Sequence, residues 1–344
     1  MHRIRWAAVF AVLALVFAAC GGGEEAAPEE ATTAPPATEA AAAATEATEV
    51  AVTPTQSMDL TFHMVTHSDD GVFWSVVKKG AQDAADALGV EMVWSPSSND
   101  PEKQVQDMQA AVASASDGIG VSLANPEALG SEVQAAIAAG IPVITLNSGS
   151  NQFKELGAVT HVGQTEIVAG EGAGEFFNGL GAGKVLCAQQ EQGNIGLEER
   201  CQGLAATFNG EVVTQFIGLD SEPETQINTI AAALQADSAI DGVLGVGPNV
   251  AVRAVEAGNQ AGRDLSIGGF DISNDLIAAI EAGDVNFTVD QQQYLQGYLT
   301  IVFLFLNATN LNTVGGGLPV LTGPGFVTTD NVGQVKALVD QGTR

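Results

Sequence analysis

The fold is decided by three consecutive stretches: Leu60-Thr-Phe-His-Met-Val-Thr66, Val72-Phe-Trp-Ser-Val-Val-Lys-Lys-Gly-Ala-Gln-Asp-Ala-Ala-Asp-Ala-Leu88, and Val90-Glu-Met-Val-Trp94. A short apolar run, an amphipathic stretch of helical period and a second short apolar run make one β-α-β unit. The alternation then continues. Its pattern predicts strands over 118–123, 142–146, 184–189, 211–218, 241–245, 265–270 and 286–290. Helices are predicted over 101–115, 127–139, 165–180, 197–208, 223–236, 249–261 and 273–282. Apolar strands separated by helices argue for an α/β chain with parallel sheets covered on both faces.

So many strands exceed one compact open sheet and suit two similar doubly wound lobes. A single barrel of eight β/α units is the alternative. The polar stretch 147–161 after the fourth strand favours two lobes, as the place where the chain would leave the first. In such proteins a ligand sits between the carboxyl ends of the sheets. Seven of the eight residues over 299–306 are apolar, too short a run to span a bilayer of roughly 30 Å, so they read as a buried helix. Gly315-Gly316-Gly317 reads as a turn.

The 344 residues carry 12 Lys+Arg against 41 Asp+Glu, a net charge of −29 that repels phosphate backbones and anionic surfaces. Nucleic acid is a poor partner for such a chain. Four His and three Cys leave little material for a metal site. Arg3 and Arg5, an apolar run from Trp6 to Phe17 and Ala18-Ala19 before Cys20 read as a signal peptide over 1–19. Residues 20–57 are Gly, Glu, Ala, Pro and Thr with hardly an apolar anchor, seven Glu and no base, an acidic self-repelling tether. Without residues 1–57 the body holds 10 bases against 34 acids and remains acidic.

The body carries an ordered set of motifs: Phe73-Trp74, Lys78-Lys79-Gly80-Ala81, Ala124-Asn125-Pro126, Gly140-Ile-Pro-Val-Ile-Thr145, Arg200-Cys-Gln-Gly203, Gly269-Phe270-Asp271, Asp290-Gln291-Gln292 and Gln296-Gly297-Tyr298. In that order the set resembles the ribose-binding-protein type of sugar-binding subunits of bacterial ABC importers, from about Leu60 to Thr328. Cys20 after Ala-Ala resembles a lipoprotein acceptor; an ordinary secretory signal with Cys20 incidental is the other reading. The resemblance implies the type I periplasmic binding protein fold, two Rossmann-like lobes joined by a three-strand hinge. The lobes are expected at 58–164 plus 292–321 and at 165–291 plus 322–344. It further implies an exported, membrane-anchored monomer that captures a monosaccharide or similar polyol for a permease, with no cofactor. A sensor subunit presenting its closed form to a membrane receptor is the rival.

A sugar needs paired donors and acceptors for its hydroxyls and flat apolar partners for its ring. Phe73 and Trp74, just past the first strand, match the family's stacking aromatics. Where the family often has Asn or Asp two positions before the first aromatic, this chain has Gly71, and Asp70 is the expected polar contact. Arg200 and Asp271 match ligand positions, the first a planar fork of donors and the second a double acceptor. Otherwise Arg200 would be a surface partner of Glu198 or Glu199, and Asp271 a helix cap. Asn125, Asn147, Gln164, Asn249 and Gln291 are amides at strand ends, suited to hydroxyls or to turns. Ribose binders place Asp-Arg where Asn147-Ser148 stands and Asn where Gly247-Pro248 stands, which points to a different sugar or polyol. Cys187 and Cys201 flank the Arg200 loop and, in an exported chain, are expected to be bridged. No His stands near them to make a nucleophilic Cys, and no Gly-x-Gly-x-x-Gly follows a strand, so no catalytic residue is expected.

Overall fold

The computed structural model describes residues 59–69 and 71–344; the signal segment, Cys20, the acidic tether and Asp70 lie outside the described residues. The first elements are β1 (Thr61–Thr66), α1 (Gly71–Leu88), β2 (Glu91–Pro96), α2 (Pro101–Ala113), β3 (Gly118–Val121), α3 (Pro126–Ala138), β4 (Val143–Leu146), α4 (Phe153–Leu156) and β5 (His161–Gly163). Then come α5 (Glu166–Leu180), β6 (Lys184–Gln189), α6 (Ile195–Thr207), β7 (Glu211–Phe216), α7 (Pro223–Ala236), β8 (Gly242–Gly245), α8 (Pro248–Ala261), β9 (Ser266–Phe270), α9 (Asn274–Ala282) and β10 (Phe287–Asp290). The chain ends with α10 (Gln293–Asn310), β11 (Val320–Leu321), β12 (Gly325–Thr328) and α11 (Val332–Asp340).

The strands form two six-stranded sheets, ordered β11-β5-β4-β3-β1-β2 and β12-β10-β9-β8-β6-β7, which excludes the barrel. Every pairing is parallel except that of β10 with β12. The inner strands β3 and β8 are buried along their whole length, which is why they read as unbroken Gly/Val/Ile/Leu runs without a polar face. In both sheets the order reverses beside the first strand, between β1 and β3 and between β6 and β8. That opens a crevice at the carboxyl ends.

The stretch 147–161 does not take the chain out of the first sheet. It forms α4 and returns as β5, where Thr145 registers with His161 and Leu146 with Val162. Its polar groups serve local bonds, Thr145 Oγ1 lying 2.9 Å from His161 Nδ1 and Asn147 N–H donating to Val162 O at 3.1 Å. The chain passes between the sheets just after β5, between β10 and α10, and between β11 and β12. The second and third passages are tied together, Thr322 Oγ1 donating to Gln291 O at 2.7 Å and Gln296 Nε2 to Gln291 Oε1 at 2.8 Å. Beside them Arg344 donates to the fully buried Asp290 carboxylate at 2.6 Å.

The apolar run 299–306 lies in α10, with Ile301 and Leu304 fully buried against β3, β4 and α1. Among the described residues no helix is long and apolar enough to cross a membrane. α1 and α10 approach through facing glycines: a Cβ on Gly80 would meet the Tyr294 carbonyl, and one on Gly297 the Val77 carbonyl. α5 and α6 repeat the device, Gly170 against the Arg200 carbonyl and Gly203 against that of Ile167. Backbone cannot yield as a side chain does. Gly297→Ala is therefore expected to lower stability by about 1–3 kcal/mol, read as the urea midpoint. Gly179→Ala, in α5 with open space around it, is expected to raise stability by up to about 1 kcal/mol.

Candidate functional site

The crevice between the sheets is walled on one side by the start of α1. Phe73 and Trp74 stand on its first turn, ring centroids 5.0 Å apart and nearly perpendicular, and the Trp74 ring meets His67 edge-on at 5.0 Å. Both aromatics line the cavity and both belong to the core of their lobe, so packing and site coincide. Their rings are thereby fixed before any ligand arrives.

The opposite floor is built on Arg200. The turn after β6 is closed by Asn194, whose Oδ1 accepts the Gly196 N–H at 3.0 Å and caps α6, placing Arg200 on the second turn. The side chain is buried and lies over the Phe270 ring, 4.4 Å from its centroid. Nε and Nη2 donate to the two oxygens of Glu166 at 2.7 and 3.1 Å, and Nη1 donates to Val246 O at 2.8 Å. Three of five N–H groups are thus used, and two remain for the cavity. Burial works against the charge, but Glu166 and Asp271 outweigh it and hold the guanidinium above its ordinary range. A disulfide joins Cys187 on β6 to Cys201 beside Arg200, as expected.

Asp271 Oδ2 lies 3.9 Å from Arg200 Nη1, beyond a hydrogen bond, while Oδ1 accepts from Gln291 Nε2 at 2.6 Å. Burial pushes its carboxyl up to about 6, against the pull of Arg200 and Gln291. Gln291 Oε1 in turn accepts from Asn147 Nδ2 at 3.4 Å, so a residue at the second passage links side chains of both lobes. Asn147 and Asp271 both adopt left-handed backbone, φ +62° and +67°, a conformation that Asn and Asp tolerate better than most residues. At the rim, Asn249 Nδ2 donates to Asp220 at 2.7 Å, which leaves its oxygen as an acceptor.

Phe73, Trp74, Asn147, Arg200, Asn249, Asp271 and Gln291 therefore line one cavity, of about 60 Å³. Two expected residues do not. Asn125 accepts the Ala128 N–H at 3.1 Å as the N-cap of α3 and lines a neighbouring cavity. Gln164 is fully buried at the first passage and donates to Glu166 at 2.8 Å, supporting the partner of Arg200. Arg200 pairs with Glu166, 34 positions away, and with neither Glu198 nor Glu199. Sequence reading also missed His67, Glu191, Asn194 and Asp220 as cavity residues. His67 directly follows a strand and Asn194 precedes a helix, but both positions are as common for turn residues. The lobes already touch beside the cavity: Ile195 N–H donates to Ala124 O at 3.0 Å and Asn151 Nδ2 to Glu199 Oε1 at 2.8 Å.

A family model described as a periplasmic binding protein domain matches residues 62–310. A solved carbohydrate transporter from Acidothermus cellulolyticus 11B, in complex with myo-inositol, is 38% identical, covers 83% of this chain and 100% of its own, and superposes with a TM-score of 0.81. A xylose/arabinose-binding protein of Sulfolobus acidocaldarius is 25% identical over 286 residues, 78% of this chain and 71% of its own. A ribose import binding protein of Haemophilus influenzae is 28% identical over 263 residues, 74% and 87%.

Removing one member of a buried ion pair strands the other charge. Glu166→Ala is expected to cost about 3–5 kcal/mol in urea unfolding, whereas the exposed Glu198→Ala stays within about 0.5 kcal/mol.

Proposed function

Because the chain belongs to the family of periplasmic binding protein domains, we propose that it is the exported sugar- or polyol-binding subunit of an ABC importer, closing on one ring and presenting it to a permease. It performs no catalysis and works as a monomer. Cys20 carries a lipid that anchors the body to the outer face of a membrane, with residues 20–57 as the spacer. One observation carries the reading: convergent donors and acceptors, Arg200, Asp271, Asn147, Gln291 and Asn249, face a wall of two aromatics in a cavity shared by both lobes. Paired hydrogen-bonding groups opposite flat apolar rings are what a sugar's hydroxyls and faces require.

The two free N–H groups of Arg200 give charge-assisted bonds to adjacent ring oxygens, and Asp271 accepts hydroxyl protons in return. The likeness to a protein that holds myo-inositol, together with the departures at Asn147-Ser148 and Gly247-Pro248, favours a cyclitol or a sugar other than ribose. Ligand contacts drive closure because both halves of the site meet only when the lobes do.

In a thermal-shift panel of D-ribose, D-xylose, L-arabinose, D-glucose, D-galactose and myo-inositol, at least one member is expected to raise the unfolding midpoint. A ligand at 100 times its dissociation constant adds about 2.7 kcal/mol. The same ligand should compact the chain in small-angle scattering. No shift with any member would sink the reading.

Asp271 also sets a pH dependence. Its folded value of about 6 lies above the ordinary 3.8, so the ligand-free folded chain holds this proton more tightly than the unfolded chain. The group thus favours folding below about 4 and loses that contribution as pH rises through about 6. A hydroxyl donates more strongly to a carboxylate than to a neutral carboxyl, so binding is expected to release a proton near pH 5.5 and to tighten up to about pH 7. Calorimetry in buffers of different ionisation enthalpy measures both, and Asp271→Asn should abolish the proton release.

A further inference from the structure

Beside the cavity just described lies a second, roomier one of about 480 Å³, and four residues line both: His67, Asn99, Glu191 and Asn194. Three of them form a wall across the crevice. Asn194 Nδ2 donates to Glu191 Oε2 at 2.6 Å and lies 3.4 Å from His67 Nε2, which is itself 3.5 Å from Glu191 Oε2. His67 and Asn194 are held from behind. Ser122 Oγ lies 2.8 Å from His67 Nδ1 and accepts the His67 N–H at 2.7 Å. Asn194 Oδ1 caps α6 and accepts from Ser148 Oγ at 3.3 Å. Burial opposes the Glu191 charge, but the His67 and Asn194 contacts outweigh it and keep the carboxyl below its ordinary range.

The wall differs from the rest of the lining in one respect. Asn194 is committed on both sides, Nδ2 donating to Glu191 Oε2 and Oδ1 accepting from the Gly196 N–H and Ser148 Oγ, and His67 is tied to Ser122, whereas Arg200 keeps two donors for the cavity. Side chains already tied to their neighbours have little left with which to recognise a ligand, and their bulk excludes it. The space on the inner side, about 60 Å³, accepts about four to six water-sized groups, the scale of one small ring. Beyond the wall the lining mixes Pro101, Ala124, Phe216 and Leu219, the last two exposed, with polar groups such as Asp100 and Asn125, a floor with polar edges on which a second ring would lie.

We propose that His67, Glu191 and Asn194 form a length stop that restricts the ligand to a single ring and cuts off the adjoining cavity. This rests on the sugar-binding reading and adds what sets its size limit. Because His67 comes from the first lobe and Glu191 and Asn194 from the second, the stop assembles only on closure, and a ligand long enough to cross it holds the lobes apart.

Calorimetric titration of the full chain with paired probes tests the stop: D-ribose with phenyl β-D-ribofuranoside, D-xylose with xylobiose, L-arabinose with arabinobiose, D-glucose with maltose, D-galactose with melibiose, and myo-inositol with galactosyl-myo-inositol. For the pair whose one-ring member binds best, the unaltered protein should prefer that member by about a hundredfold or more, and His67→Ala should shrink the preference about tenfold by gaining the two-ring ligand. Glu191→Ala should do the same and serves if the first variant folds poorly. Equal binding of both members by the unaltered protein, or an unchanged preference in both variants, would overturn the stop while leaving the sugar reading intact. Binding of no one-ring probe would overturn the sugar reading, and the stop with it.

Discussion

Arg200 and Glu166 meet through two N–H···O bonds where the side chains keep only 4% and 1% of their exposure. Two ions out of water cost several kcal/mol each, and only geometry returns that. Much of the second lobe supplies it. Facing glycines bring α5 and α6 close enough for the pair to meet, Gln164 fixes the carboxylate, the Val246 carbonyl takes a third donor and Phe270 supports the guanidinium face. The disulfide between β6 and α6 restrains the backbone beside Arg200. What is left over is a pair of oriented donors facing the crevice, already desolvated.

The alternation of strands and helices was legible because strands buried on both faces write themselves as short apolar runs, and the ends of the longer elements fell within a few residues. The stretch 147–161 misled because short polar turns and a three-residue strand carry no periodic signal. The site was legible where a residue is chemically rare: Arg200 stands out among 10 bases in the body. Its partner was not, since the nearest acids along the chain, Glu198 and Glu199, are on the same helix, while Glu166 reaches Arg200 only through helix packing. Asn125 precedes Pro126 and a helix, and that local signature of a cap is what the side chain does. The wall of His67, Glu191 and Asn194 could not be read at all, being a contact between lobes.

The two lobes are drawn together by hydrogen bonds such as Ile195 N–H to Ala124 O, worth about 0.5–1.5 kcal/mol net, and Asn151 Nδ2 to the Glu199 carboxyl, worth about 1.5–3 kcal/mol when that group is charged. Such contacts are too few to lock a hinge against the solvation of an open crevice. On the proposed reading, a ring bound between Arg200 and Asp271 on one side and Asn147 and the α1 aromatics on the other adds to them, which makes closure report occupancy.

The passages between the sheets are bonded into one bundle, with Thr322 and Gln296 both fastened to Gln291. A bundle of that kind acts as an axle. Displacement under rotation grows with distance from the axis, so Asn147 and Asp271, both bonded to Gln291, move less relative to one another than groups farther out. His67 and Asn194, which meet from opposite lobes without a bond to Gln291, have no such tether. A molecule that reaches Asn147 and Asp271 therefore meets side chains already tied to the axle itself, where the two lobes are least free to move apart.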